Sequence, residues 1–404
     1  MAYYDRIRTP SAFRAASSSQ QAVNFVTLQQ SHSWESAASR WGTQYLFACR
    51  VICKQPGDIL PLLANGIHSG NESGVHPCIE NLIEGPREGM AALSQMAEPQ
   101  IVRAYELESL GYVWAALAPL LQADSGTHQT ISSQRPVRER NQPERNEYVS
   151  SEGFQISSSP LERSDTASSS PSSVGYMEGS SAPLVEDYTV RFLSCFIRCV
   201  LNYIQPVNKD LPFIQYRDER LAYICTGAGM GNSFQAIDDG GVQVDHPDGK
   251  LQVAMLEAKR GFQAITDGHP TVSDELLAQI VGETLALRLS KAKCISAENI
   301  VSVVAVKYYV KMFHFNITED FTHRFETLHP ADANTDLSTY LKVESTIWFD
   351  MRESTGRKYF IRHLVALVAW ADAAHETGMN FEDSELEDSE AESSNAESFM
   401  DMRE

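Results

Sequence analysis

The chain has 404 residues, 43% of them hydrophobic, which is room for two or three domains with a real core. Its net charge of −20 is uneven: residues 372–404 carry twelve Asp or Glu against one Arg, so the other 371 residues hold only −9. A mildly acidic body argues against a non-specific polyanion binder, because phosphate binding needs cations to displace counterions, but it leaves a local basic groove open. The seven Cys form no CxxC and no even set, which argues against a disulfide framework. Cys49/Cys53 and Cys195/Cys199 stand in apolar runs and read as small buried hydrophobes. No stretch reaches the roughly 20 apolar residues that span a bilayer, and the first residues hold no apolar run of signal length. The expectation is a soluble intracellular protein, nuclear or cytoplasmic, with no membrane partner.

Residues 1–30 are polar and Ser/Gln-rich and read as a flexible N-terminus. Residues 31–121 read as a helical accessory region, either a small module or an extra layer on the main domain. It includes the apolar run Trp41–Cys53, which Lys54-Gln55-Pro56-Gly57 stops. Residues 122–186 read as a disordered Ser-rich linker: positions 151–182 alone hold twelve Ser and few large apolar groups, a composition that cannot repay the entropy of ordering. Its Arg135, Arg138, Arg140 and Arg145 are diluted by Glu139 and Glu144, so this run reads as solvated.

Order is expected to return over residues 187–376. The run 188–203 is apolar on most faces and predicts a buried helix. Phe234–Ile237 and Val242–Val244 read as strand, interrupted by Asp238-Asp239-Gly240-Gly241, and Asp245-His-Pro-Asp-Gly249 as a turn. Leu251–Leu256 is a strand leading into Glu257-Ala258-Lys259. Ser273 caps a helix running to about Leu289, with Asp274 and Glu275 at its positive end. The β-branched run Ile300–Val306 is the plainest strand in the chain. Tyr308–Phe315 extends it or forms another, and 338–349 holds one more strand or short helix. A long helix is expected over 357–376, then an acidic disordered tail, 377–404.

Glu257 and Lys259 stand two apart at a strand end, so their side chains share one face. A hairpin turn centred on Pro247 would set position 257 opposite 237 and leave Asp239 one diagonal step from Glu257. A register one residue different would set Asp238 there instead. Either way one Asp and Glu257 approach closely, two hard oxygen ligands of the kind Mg²⁺ takes. Lys259 beside them could orient or deprotonate an attacking water, or stabilise charge on a phosphate in transfer. Gln279 and Glu283, one helical turn apart, are either a solvent-facing pair or a pair that brings Gln279 over the sheet edge toward this site. Lys307 and Lys311 are open to solvent or to phosphate at a strand edge. Gly227-Ala-Gly229-Met-Gly231 lacks the strand and helix that a dinucleotide loop needs, and His314, His323 and His329 have no zinc spacing with Cys.

An Asp, a short hairpin, Glu-x-Lys at a strand end, a helix and a β-branched strand is an order that resembles the PD-(D/E)XK nuclease superfamily, also called restriction-endonuclease-like. The stretch LQVAMLEAKRGFQAITDGHPTVSDELLAQIVGETLALRLS is similar to nuclease-like domains of fungal proteins. The resemblance covers about residues 187–315, extending toward 376. It implies an α/β fold with a restriction-endonuclease-like mixed sheet flanked by helices. It also implies catalytic Asp239, Glu257 and Lys259, with Asp239 and Glu257 holding Mg²⁺ or Mn²⁺, and phosphodiester hydrolysis on nucleic acid. Asp238 is the alternative metal ligand, Glu219 matches an upstream helical Glu, and Gln279 a Gln on the following helix. The sequence departs from the family motif at the residue before the Asp, where Ile237 or Asp238 stands in place of Pro. Without a basic patch carrying interleaved aromatics, nucleic-acid affinity is expected to be weak. The superfamily also holds inactive members, for which a protein partner is the expectation.

Overall fold

The structure is a computed structural model that describes residues 2–69, 76–105, 109–124, 186–225, 233–246, 249–263, 265–266, 269–331 and 336–400, excepting the side chains of 68–69, 123–124, 246, 266, 269 and 378–400. It is a mixed α/β architecture around an eight-stranded sheet. The strands are β1 (Val51–Cys53), β2 (Ile214–Arg217), β3 (Gly241–His246), β4 (Gly249–Lys259), β5 (Asn299–Val306), β6 (Tyr309–Asn316), β7 (Leu341–Ser345) and β8 (Phe349–Asp350). Their spatial order is β1-β7-β6-β5-β4-β3-β2, with β8 paired to β6.

The pairings of β2 with β3 and of β3 with β4 are antiparallel, as are those of β5 with β6 and of β6 with β7. The central pair, β4 with β5, is parallel and sets Leu256 beside Val303. A parallel neighbour needs a crossover, and the helix Asp274–Leu289 lies in that connection. Four long helices organise the two faces: α1 (Leu110–Asp124), α2 (Glu186–Ile204), α3 (Asp274–Leu289) and α4 (Ser354–Met400). One core contains Phe192, Phe196 and Val200 of α2, Leu256, Val303, and Phe360 and Leu364 of α4. The other contains Met255, Val304, Phe313, and Leu277, Ile280 and Val281 of α3, with Trp41 and Tyr45. The alternation along β4 thus separates Leu256 from Met255, one to each core.

Several sequence expectations need correction. Residues 1–30 are not loose: the helices Tyr3–Arg6, Pro10–Ser19 and Phe25–Gln29 bury Tyr3, Tyr4, Phe13, Phe25 and Leu28 in the α3-side core. Spaced aromatics in a polar run were enough to anchor it. The apolar run Trp41–Cys53 is a helix only over Thr43–Ala48. Arg50 then takes φ +52°, and Val51–Cys53 becomes the edge strand β1, parallel to β7. The rest of the accessory region packs onto the main domain, as a small apolar module must. Arg357 at the start of α4 is one clasp. Its guanidinium donates to the backbone oxygens of Leu82, Ile83 and Glu84 at the end of the helix Pro77–Glu84, and to those of Met351 and Arg352. The expected linker 122–186 gives way to helix at both ends, through Asp124 and from Glu186. The rest of that expectation, the glycine loop 227–231 and the disordered tail fall outside the fully described residues.

Lys307 sits at the β5–β6 turn with φ +56°, whereas Lys311, expected at a solvent-facing edge, is 2% exposed. Its ammonium donates to the Thr346 backbone oxygen and lies 5.2 Å from the Tyr4 ring centre and 5.7 Å from that of Trp348. Burial pulls its pKa down to about 7, partly opposed by Asp5. The unfolded chain therefore binds more protons between about pH 7 and about 10.4, and this lysine's cost to stability shrinks as pH rises through that window. Lys311→Met is expected to stabilise the fold by about 1–3 kcal/mol at pH 7, with the gain gone near pH 10. Melting curves at the two pH values check it.

Candidate functional site

The register between β3 and β4 decides which aspartate meets Glu257. His246 pairs with Gly249 and Val244 with Leu251, but a bulge between Val242 and Gln243 shifts the pairing so that Gly241 faces Met255. Just ahead of Gly241, Asp239 reaches the Glu257 end of β4, where its side chain meets the Ala258 N–H and lies within the field of the Glu257 charge. The Asp239 N–H donates to the Leu256 oxygen (2.9 Å), and the Leu256 N–H to that of Gly240 (2.9 Å). The sequence expectation of 257 facing 237 fails for two reasons. A bulge adds a residue to one strand, and Phe234–Ile237 leaves the main sheet to pair with Ala222–Cys225 in a two-stranded sheet. Gly240 makes the change of direction, at φ +140°. A Cβ on Gly241 would stand 2.4 Å from the Ala254 oxygen and one on Gly240 2.9 Å from the Arg217 oxygen, so Gly241 serves the close approach to β4 and Gly240 that to β2.

Asp239 is 1% exposed. Its Oδ2 accepts from the Ala258 N–H (3.0 Å), and Arg220 Nε lies 3.4 Å from its Oδ1. Burial first, then the negative charges of Glu257 and Glu186, push its carboxyl up to about 8, against the pull of the Ala258 N–H and Arg220. Glu257, fully buried, accepts from Lys259 Nζ at 2.5 Å and from Gln279 Nε2 at 2.6 Å. Burial raises its pKa, and Lys259 pulls it back. Burial works against the Lys259 ammonium, but Glu257, Glu186 and Glu283 outweigh it and hold that proton more tightly than in an ordinary lysine.

Gln279 and Glu283 are buried on the site face of α3, not solvent-facing. Gln279 Nε2 donates to Glu257 Oε1 and to Glu283 Oε1 (2.8 Å), tying the helix to the strand. Burial, then the Glu257 charge, drive the Glu283 pKa well above the carboxylate range. The Ser273 hydroxyl oxygen caps α3 as expected, accepting from the Leu276 N–H (3.2 Å).

Two sequence candidates stand elsewhere. Asp238 faces away from Glu257 into a structural network. It pairs with Arg217 (3.1 and 2.5 Å) and accepts from the Leu221 N–H (3.0 Å) and the Tyr223 hydroxyl (2.8 Å). The two aspartates lie in the bend between Phe234–Ile237 and β3, and their side chains take different partners, so neighbouring aspartates have different tasks. Glu219 is an exposed side chain 3.9 Å from Lys250 Nζ, on no helix. The helical glutamate at the site is Glu186, in the first turn of α2, whose charge acts on Asp239, Glu257 and Lys259. The Thr189 hydroxyl, one turn on, donates to the Lys259 oxygen at 3.3 Å. A signal for it was present: an acidic pair directly ahead of a strongly apolar helix. A linker boundary at 186 splits that pair from its helix.

Beside Lys259 and Gln279 opens a cavity of about 320 Å³ that also meets Arg260, Phe262 and Thr271. Among the described residues, no group of three or more His, Cys, Asp or Glu is arranged as a metal cluster, and no helix is long and apolar enough to cross a membrane. No protein-family model, curated protein or solved structure matches the chain.

Proposed function

We propose that this chain carries a PD-(D/E)XK-type site and hydrolyses phosphodiester bonds of nucleic acid with the help of a divalent cation. The reading rests on one observation: Asp239, just ahead of β3, meets the end of β4 beside Glu257, with Lys259 at 2.5 Å from Glu257. The order of parts, α2 with Glu186, the β3–β4 hairpin, then α3 and the parallel β5, agrees with it. Asp239 and Glu257 fit Mg²⁺ or Mn²⁺ as hard oxygen donors, one or two carboxylates being the usual protein share. Two buried neighbouring carboxylates, one of them pushed up by burial first and then by the charge of the other, are also the donor set that a cation relieves. When bound, such an ion supplies Lewis-acid stabilisation of phosphate charge. Lys259 places an ammonium where charge develops on the phosphate. Gln279 fixes the Glu257 carboxylate, and burial favours the protonated form of Glu283 beside it, which lowers repulsion within the cluster.

The test pairs melting with catalysis. Mg²⁺ or Mn²⁺ that binds the folded state alone is expected to raise the melting temperature once its free concentration passes the dissociation constant. Metal-dependent cleavage of DNA or RNA, single- or double-stranded, should accompany the shift. A different observation favours a second reading. Both carboxylates already have a cation in contact, Arg220 at Asp239 and Lys259 at Glu257, an arrangement suited to a catalytically silent nuclease-fold module that binds a protein partner. No melting shift and no cleavage would favour that reading.

A further inference from the structure

The 320 Å³ cavity beside Lys259 does not end at the candidate site. Thr271 also lines a second cavity of about 590 Å³, whose walls include Tyr309, Trp348 and Lys311. The partition between the two is aromatic: the Phe262 ring stands 5.4 Å from that of Tyr309 and 5.4 Å from that of Trp348, edge to face in both cases. All three rings are only half buried, and Ile347 next to them is 40% exposed. Charge along this path is close to balanced. Lys259 and Arg260 stand at the site end with Glu275, and Asp5 and Asp350 at the far end, Asp350 being paired with Arg352 at 2.6 Å.

We propose that the two cavities form a track for an unpaired nucleic-acid strand, with a phosphate at the Lys259–Arg260 end and bases against Phe262, Tyr309 and Trp348. The inference rests on the phosphodiesterase reading of the Asp239–Glu257–Lys259 site and names its substrate class. Each cavity is of the size that takes a small organic group, roughly 300–1,000 Å³, and half-buried aromatic rings offer bases a sequence-tolerant surface. A duplex keeps its bases stacked inside and must unstack to reach such rings. Balanced charge means that stacking supplies the affinity and that few counterions are released on binding. The sugar is not selected by any of these contacts, so DNA and RNA strands are both candidates.

The test is fluorescence anisotropy in EDTA with the full chain, using a labelled single-stranded DNA 12-mer, the RNA 12-mer of the same sequence, and the DNA duplex. Without metal, binding is read apart from cleavage. A single strand is expected to bind at least about tenfold tighter than the duplex, with a shallow salt dependence. Phe262→Leu and Trp348→Leu are each expected to weaken it by about tenfold, the loss of one stacked base, and Trp348→Phe to restore most of it. Far-UV circular dichroism and the melting temperature check that the variants fold. A preference for duplex, no binding of either single strand, or affinity unmoved in well-folded ring variants would overturn the track. A metal-dependent melting shift that survived such a result would leave the catalytic reading standing. Ring-dependent binding of single strands without metal response or cleavage would support the track and remove the catalytic reading.

Discussion

Lys259→Met is expected to cut metal-dependent cleavage by about 10²–10³-fold or more, as for other charge-stabilising groups removed from an active site, while preserving the rise in melting temperature that Mg²⁺ brings. The methionine keeps most of the apolar stem and removes the ammonium, its charge and its hydrogen-bond donors together. With the ammonium gone, Glu257 loses the contact at 2.5 Å and the metal-free protein should be less stable. Added metal then restores a positive neighbour to the same carboxylate, so the shift should be at least as large as in the wild type. Glu257→Gln should behave oppositely, losing most of the metal-induced shift together with cleavage. The pH dependence has a definite sign. Asp239 is pushed up to about 8 in the folded protein, against about 3.9 in an unfolded chain. Its contribution to metal-free stability is therefore full below about pH 4 and lost as pH rises through about 8. A metal ligand must be ionised, so the Mg²⁺-induced shift should grow from pH 6 to pH 8, with protons released on binding. A shift that disappears in Lys259→Met, or that shrinks with rising pH, would contradict these assignments.

The parts of this site that were legible in the sequence are those fixed by local periodicity. Glu257 and Lys259 share a face because they are two apart on a strand whose apolar run was plain. Ser273 caps its helix because a hydroxyl ahead of two acids suits a helix start, and Ile300–Val306 is a strand because its residues are β-branched. Parts that depend on tertiary arrangement were not legible. The bulge at Val242/Gln243 leaves no compositional mark, and neither does the turning of Asp238 to Arg217 and Tyr223 while Asp239 meets the Ala258 N–H. Phe234–Ile237 is as strand-like as its neighbours, and only its pairing with Ala222–Cys225 removes it from the hairpin. Val51–Cys53 continues an apolar run that looks helical, until a single residue at positive φ turns it into an edge strand. Lys311 reads as a surface lysine because its burial comes from residues distant in sequence, Thr346 and Trp348 and also Tyr4, 307 positions away. Gln279 and Glu283 were ambiguous for the same reason: a polar stripe on a helix reads alike whether it meets water or a buried carboxylate.

Asp238 and Asp239 offer the sharpest test of that distinction, because neighbouring substitutions of the same kind are expected to change stability with opposite signs. Asp238→Asn removes the charge that balances Arg217, which is 2% exposed. It also weakens the acceptor for the Leu221 N–H and the Tyr223 hydroxyl. A buried guanidinium left without its counter-charge typically costs about 3–5 kcal/mol. The loss should appear as a lower denaturation midpoint in urea with an unchanged slope. Whatever remains folded should still respond to Mg²⁺, since Asp238 is not at the Glu257 site. Asp239→Asn removes a carboxyl that burial and the Glu257 and Glu186 charges keep from ionising. It should raise metal-free stability by about 1 kcal/mol or more at pH 8 and abolish both the Mg²⁺-induced shift and cleavage. If instead Asp238→Asn erased the metal response in folded protein and Asp239→Asn left it intact, the register of the β3–β4 hairpin would have to be the one in which Asp238 faces Glu257.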